Sequence, residues 1–134
     1  MGAWGTGIFE DDTALDAMEE AMDSTVQDFL QQVLMTADDE EYLEYDRAHQ
    51  IIIAGVILDY LLNGTVYEQN DETFAQWLDQ QSRDSVDQFK PVVLAGLKVV
   101  LSDQSELNEL WQENSMEYPN WRANVEGMIA RLED

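Results

Sequence analysis

The chain of 134 residues has one histidine, His49, and no cysteine, which leaves His49 as a solitary acid/base candidate beside the carboxylates. Asp46 stands three residues before His49, a spacing that brings both onto one face of a helix. With Glu44 the three could hold a metal or pass a proton. Helical di-iron sites use two Glu-x-x-His elements, and this sequence supplies at most half of one. A helix histidine satisfied near Arg47 is therefore the expected state, with no metal and no cofactor. The lack of cysteine also removes disulfides, thiolate zinc sites and cysteine nucleophiles together. There is no Gly-x-Ser-x-Gly turn to expose a serine nucleophile. Carboxylate pairs suited to hydrolysis are always available among 29 acids, so their presence decides nothing.

The acids as a population say more. Asp and Glu number 29 against 6 Lys and Arg, a formal charge of -23. That charge repels phosphate backbones and anionic membranes, so neither nucleic acid nor a membrane is an expected partner, and a basic protein is. Residues 1–46 hold fourteen acids and no base. The densest run is Asp38, Asp39, Glu40 and Glu41, followed by Glu44 and Asp46. It lacks the alternating ligands and central glycine of a calcium loop. Two readings stay open. One is a solvated helix start, where acids complement the helix dipole. The other is a contact surface for lysine and arginine, with those six acids supplying charge and an exposed aromatic, Tyr42 or Tyr45, supplying the central anchor.

The apolar spacing predicts the elements that carry these residues. Ala14, Leu15, Met18, Ala21 and Met22 mark a short amphipathic helix behind Asp12, and Ser24 to Gln27 has capping-box spacing ahead of Val26, Phe29, Leu30, Val33 and Leu34. A longer helix is expected from about Glu40 to Leu62, through an apolar run at 51–58, with Asn63-Gly64 as its stop. A helix is preferred to a buried strand because the apolar character continues and no second strand-like run offers a partner. The run is too short for a membrane span. A fourth helix behind Asp71 turns Phe74, Trp77 and Leu78 inward. A fifth begins at Asp84 or Ser85 and is started or kinked by Pro91. A sixth covers 103–113, and a terminal helix begins near Pro119 with Trp121, Val125, Met128, Ile129 and Leu132 inward. With no repeat or linker, this predicts one all-α domain over 1–134, a bundle of six to seven helices. Glycines 2, 5 and 7 precede acids and complete no phosphate loop. They are expected to let an N-terminal arm lie against the bundle with Trp4, Ile8 and Phe9 plugged in, and the tryptophans at 4, 77, 111 and 121 are expected to pack in the core.

The opening Met1-Gly2-Ala3-Trp4-Gly5-Thr6-Gly7-Ile8-Phe9-Glu10-Asp11-Asp12 resembles the signature of a bacterial domain family of unknown function, number 4259. Its members begin Met-Gly-Ala-Trp-Gly-x-Gly-x-Phe-Glu-Asn-Asp, and Asp11 replaces the asparagine. Ser102-Asp103-Gln104-Ser105-Glu106-Leu107-Asn108-Glu109-Leu110-Trp111, then Trp121-Arg122, is similar to a second block of the family. The resemblance implies a small helical bacterial domain and supplies no catalytic residues.

The expected function is binding rather than catalysis: a bacterial immunity or antitoxin-like protein covering the basic active site of a toxin, a nuclease by preference. The alternatives are an interaction or scaffold domain, and an enzyme using carboxylates with or without Mg²⁺. The N-terminus has no positive region followed by an apolar run, so a cytoplasmic protein is expected. Gly2 with Thr6 fits an acylation pattern, but no basic patch supplies the second membrane signal.

Overall fold

The computed structural model describes residues 12–37, 42–65, 72–82 and 86–133, with backbone alone at 34–37. The expected N-terminal plug of Trp4, Ile8 and Phe9 and the proposed cap Asp71 lie outside them. Among the described residues the fold is all-α: α1 (Asp12–Met22), α2 (Val26–Ala37), α3 (Tyr45–Asn63), α4 (Glu72–Asp79), a 3-10 turn (Val86–Phe89), α5 (Lys90–Val100), α6 (Glu106–Gln112) and α7 (Tyr118–Glu133).

The chain folds around α3. Twelve of its nineteen residues are buried, the unbroken run Ile51 to Asp59 among them, because a helix apolar on every side must be enclosed by others. α1, α2, α5, α6 and α7 all pack on it. At Gly55 a Cβ would overlap Met128 Sδ and lie 3.1 Å from Leu97 Cδ1, so α5 and α7 approach the α3 backbone closely there. α3 ends as expected: Gly64 adopts φ 72° and its N–H bonds Tyr60 O at 2.9 Å, a left-handed cap that favours glycine.

Among the described residues one carboxylate sits inside this core. Asp59 is 0% exposed. Its carboxylate accepts from Arg131 Nε at 2.8 Å, Asn63 Nδ2 at 2.9 Å and Thr65 Oγ1 at 2.9 Å. The interaction locks the last turn of α3 to α7. Sequence reading missed it, although a lone acid in an apolar run and an arginine near the end of an inward stripe were both visible.

The helix starts differ from expectation for identifiable reasons. α2 is capped by Thr25, whose Oγ1 accepts from Asp28 N at 3.2 Å, rather than by a Ser24–Gln27 box. Ser24 instead turns back to Ala21 O, and Gln27 reaches Ser82 O. α3 begins at Tyr45, not near Glu40, because Leu43 is extended and bridges Ser105. α5 begins at Lys90 behind the 3-10 turn, with Pro91 in its first turn. The expected start at Asp84 or Ser85 lies outside the described residues, and Pro91, expected to start or kink this helix, stands where its missing N–H costs no helical bond. α6 starts at Glu106 because Ser105 is its cap, accepting from Asn108 N at 3.2 Å. The five residues expected to face inward on α7 are all buried.

Candidate functional site

The described part of the acidic segment, residues 42–46, sits where α3 begins, and α6 holds it there. Leu43 N donates to Gln104 O at 2.7 Å, and Glu106 N donates to Leu43 O at 2.9 Å. Tyr45 N, in the first turn of α3, donates to Glu106 Oε1 at 2.8 Å. A helix N-terminus leaves its first N–H groups unpaired and carries partial positive charge, so a carboxylate from another helix is well placed there. Tyr42 hydroxyl donates to Glu109 Oε2 at 2.6 Å. That bond, with desolvation and the nearby charges of Glu109 and Glu106 adding to it, pushes the Tyr42 phenol up to about 12.

These contacts separate the candidate residues. Glu44 and Asp46 are exposed, and the backbone beneath them is fixed by α6. Tyr42 is 40% exposed and so remains an aromatic available to a partner. Tyr45 is less so. It is half-buried, packs against the core and meets His49 edge-on with ring centroids 4.9 Å apart. Asp38, Asp39, Glu40 and Glu41 lie outside the described residues.

The acidic surface is wider than the 38–46 run. Asp46 faces α1 across a polar cleft of about 150 Å³ that Asp16, Glu20 and Gln50 also line, and Gln50 Nε2 donates to Glu20 Oε2 at 3.1 Å. On the α6 side Glu109 is exposed beside Tyr42. Carboxylates from α1 and α6 thus flank the start of α3. Their charge was visible in the sequence, but their placement rests on pairings between distant segments. Asp46 is exposed and lines this cleft, whereas His49 is 3% exposed within the bundle. Among the described residues no three His, Asp or Glu side chains are grouped to hold a metal ion.

The family described as Domain of unknown function (DUF4259) matches residues 2–124. The chain belongs to this family. Comparison with curated proteins and with solved structures gave no match. The second block that resembles DUF4259 forms a polar knot at the α5, α6 and α7 junction. Asn108 is buried and donates through Nδ2 to Ser102 O at 3.1 Å, while its Oδ1 accepts from Tyr118 hydroxyl at 2.7 Å. Arg122 Nη1 bonds both Tyr118 hydroxyl at 2.9 Å and Leu101 O at 3.1 Å. Trp111 and Trp121, both buried, stack with centroids 5.8 Å apart. Trp77 is only half-buried and stacks on Phe74. In this DUF4259 chain the block's described residues brace the surface on which Glu44 and Asp46 stand. No helix among the described residues is long and apolar enough to cross a membrane.

Proposed function

We propose that this chain is a binding protein rather than a catalyst, and that it neutralises a basic toxin of nuclease type by covering its active site, as an immunity protein or antitoxin does. The observation that carries the reading is the start of α3. There exposed Glu44 and Asp46 and half-exposed Tyr42 stand on a backbone already fixed by α6, with Asp16, Glu20 and Glu109 on either side. Nucleases bind phosphates in grooves of lysine and arginine, and a preorganised acidic ridge is complementary to such a groove. The acids steer the encounter, and a central aromatic supplies contact that long-range charge cannot. In this reading Asp38, Asp39, Glu40 and Glu41 add their charge to the attraction, and the complex forms in the cytoplasm of a bacterium.

The test is capture of a partner from the source cell by the wild-type chain and by the double variant Glu44→Lys, Asp46→Lys. Both positions are exposed, so the fold should tolerate the change at a cost of about 1 kcal/mol or less for each lost dipole contact. The expected result is a basic protein that the wild type retains at low salt, releases as salt rises, and whose nuclease activity it inhibits. The variant should fail on each count. Equal capture by both, or a captured nuclease that stays fully active in the complex, overturns the proposal.

A further inference from the structure

The charge of -23 is unevenly shared among the helices. α1 carries Asp12, Asp16, Glu19 and Glu20 with no base, whereas α5 carries no acid and two lysines, Lys90 and Lys98. The outward crest of α5 is apolar: Pro91, Ala95 and Val99 follow one another four residues apart, and all three are exposed, Val99 at 42%. Beside this crest a groove of about 500 Å³ runs between α5 and α7, with Leu101 and Ile129 along it and Lys98, Arg122, Glu126 and Glu133 as its charged side chains. Those four charges sum to zero.

The groove's ion pairs are loosely held. Lys98 Nζ lies 3.1 Å from Glu133 Oε2 and Arg122 Nε 3.4 Å from Glu126 Oε2, with all four side chains between 36% and 59% exposed. Exposed pairs of this kind contribute about 1 kcal/mol or less, so they can be exchanged for equivalent pairs with another molecule. A patch holding both signs is complementary to itself. Under a two-fold axis the cations of one copy face the glutamates of the other, and the apolar crests meet between them. Approach through α1 or the 42–46 segment sets carboxylate against carboxylate, which disfavours association.

We infer that the α5–α7 face is a self-association surface on which two copies of this chain pair about a two-fold axis. It uses none of the residues of the acidic segment, so it stands independently of the proposed toxin binding and leaves that segment open in the pair. Helices of 11 and 16 residues are about 16 and 24 Å long. Packed about 10 Å apart, they offer a face of about 20 by 20 Å, or about 800 Å² over both copies, which is below the range of stable interfaces and in that of weak, transient ones. The pairing is therefore concentration-dependent.

Sedimentation of the full chain over a wide concentration range, at low and high salt, tests this. The expected mass rises from 15.4 kDa toward twice that value with concentration, and rises further at high salt, where repulsion between the acidic chains is screened. Val99→Glu and Ala95→Glu, both at exposed crest positions, should remain monomeric with unchanged circular dichroism. Asp46→Lys should still pair. A wild type that stays at monomer mass throughout overturns the inference. So does pairing that survives both crest variants, or pairing that Asp46→Lys abolishes and Val99→Glu does not.

Discussion

Replacing Asp59 shows how much the polar lock at the end of α3 contributes to the fold. In Asp59→Ala, Arg131 Nε, Asn63 Nδ2 and Thr65 Oγ1 lose an acceptor that now lies 2.8–2.9 Å away. Deleting one partner of a fully buried ion pair costs about 3–5 kcal/mol. Here the Arg131 side chain is 41% exposed and can turn to water, whereas the Asp59 side chain is 0% exposed. The stranded guanidinium therefore recovers part of the loss, and removing the carboxylate relieves its own desolvation. The two neutral donors each add about 0.5–1.5 kcal/mol, again partly recovered. The net expectation is a loss of about 2–3 kcal/mol, or a fall in Tm of roughly 6–15 °C for a chain of this length. Urea unfolding followed by the fluorescence of buried Trp111 and Trp121 measures it. A double-mutant cycle with Arg131→Ala isolates the pair, with an expected coupling of about 1–2 kcal/mol. Asp59→Asn keeps shape and one acceptor, and should lose about half as much. A loss below about 1 kcal/mol for Asp59→Ala, or additivity of the two substitutions within about 0.3 kcal/mol, refutes the reasoning.

Three further outcomes follow from local geometry. Ser105→Ala removes the cap of α6 and should lower stability by about 1 kcal/mol in the same urea assay. Gly64→Ala meets no atom within 4 Å, yet at φ 72° it should cost about 1–2 kcal/mol from backbone strain alone. Tyr42 is raised from 10.0 to about 12 in the folded chain, so the fold binds its proton more tightly than the unfolded chain does. Its stabilising contact is then complete below pH 10 and is lost as pH rises toward 12. In an alkaline absorbance titration, Tyr42→Phe should remove a phenol component near pH 12, and loss of a component near pH 10 instead counts against the Glu109 bond.

What was legible in the sequence was whatever rests on local periodicity. The inward stripe of α7 at Trp121, Val125, Met128, Ile129 and Leu132 is buried throughout. The apolar run at 51–58 is a helix rather than a strand, and Asn63-Gly64 ends it. What was not legible depends on partners far along the chain. The first turn of α3 begins at Tyr45 because Glu106 accepts its N–H and Ser105 bridges Leu43, and neither fact has a local signal. Tyr42 and Tyr45 look alike in sequence. Only the packing sends Tyr45 toward His49 and leaves Tyr42 exposed. The acids of the 42–46 segment were found from composition, but their companions Asp16, Glu20 and Glu109 belong with them only because α1 and α6 pack beside α3.

The clasp between the start of α3 and α6 also orders the folding of the chain in time. The middle of α3 can meet α1 and α2 soon after synthesis, since those helices are its near neighbours in sequence. Its first turn must wait for Glu106, 61 residues further on, and a contact that closes so long a loop gains its stabilisation only after that entropy is spent. Tyr45 amide exchange and kinetic φ-values near Glu106 should therefore report an event later than the packing of α3 on α1 and α2. Glu44 and Asp46 thus take up their final places only when α6 arrives, so the surface proposed to meet a partner is completed later than the α1–α3 packing beside it.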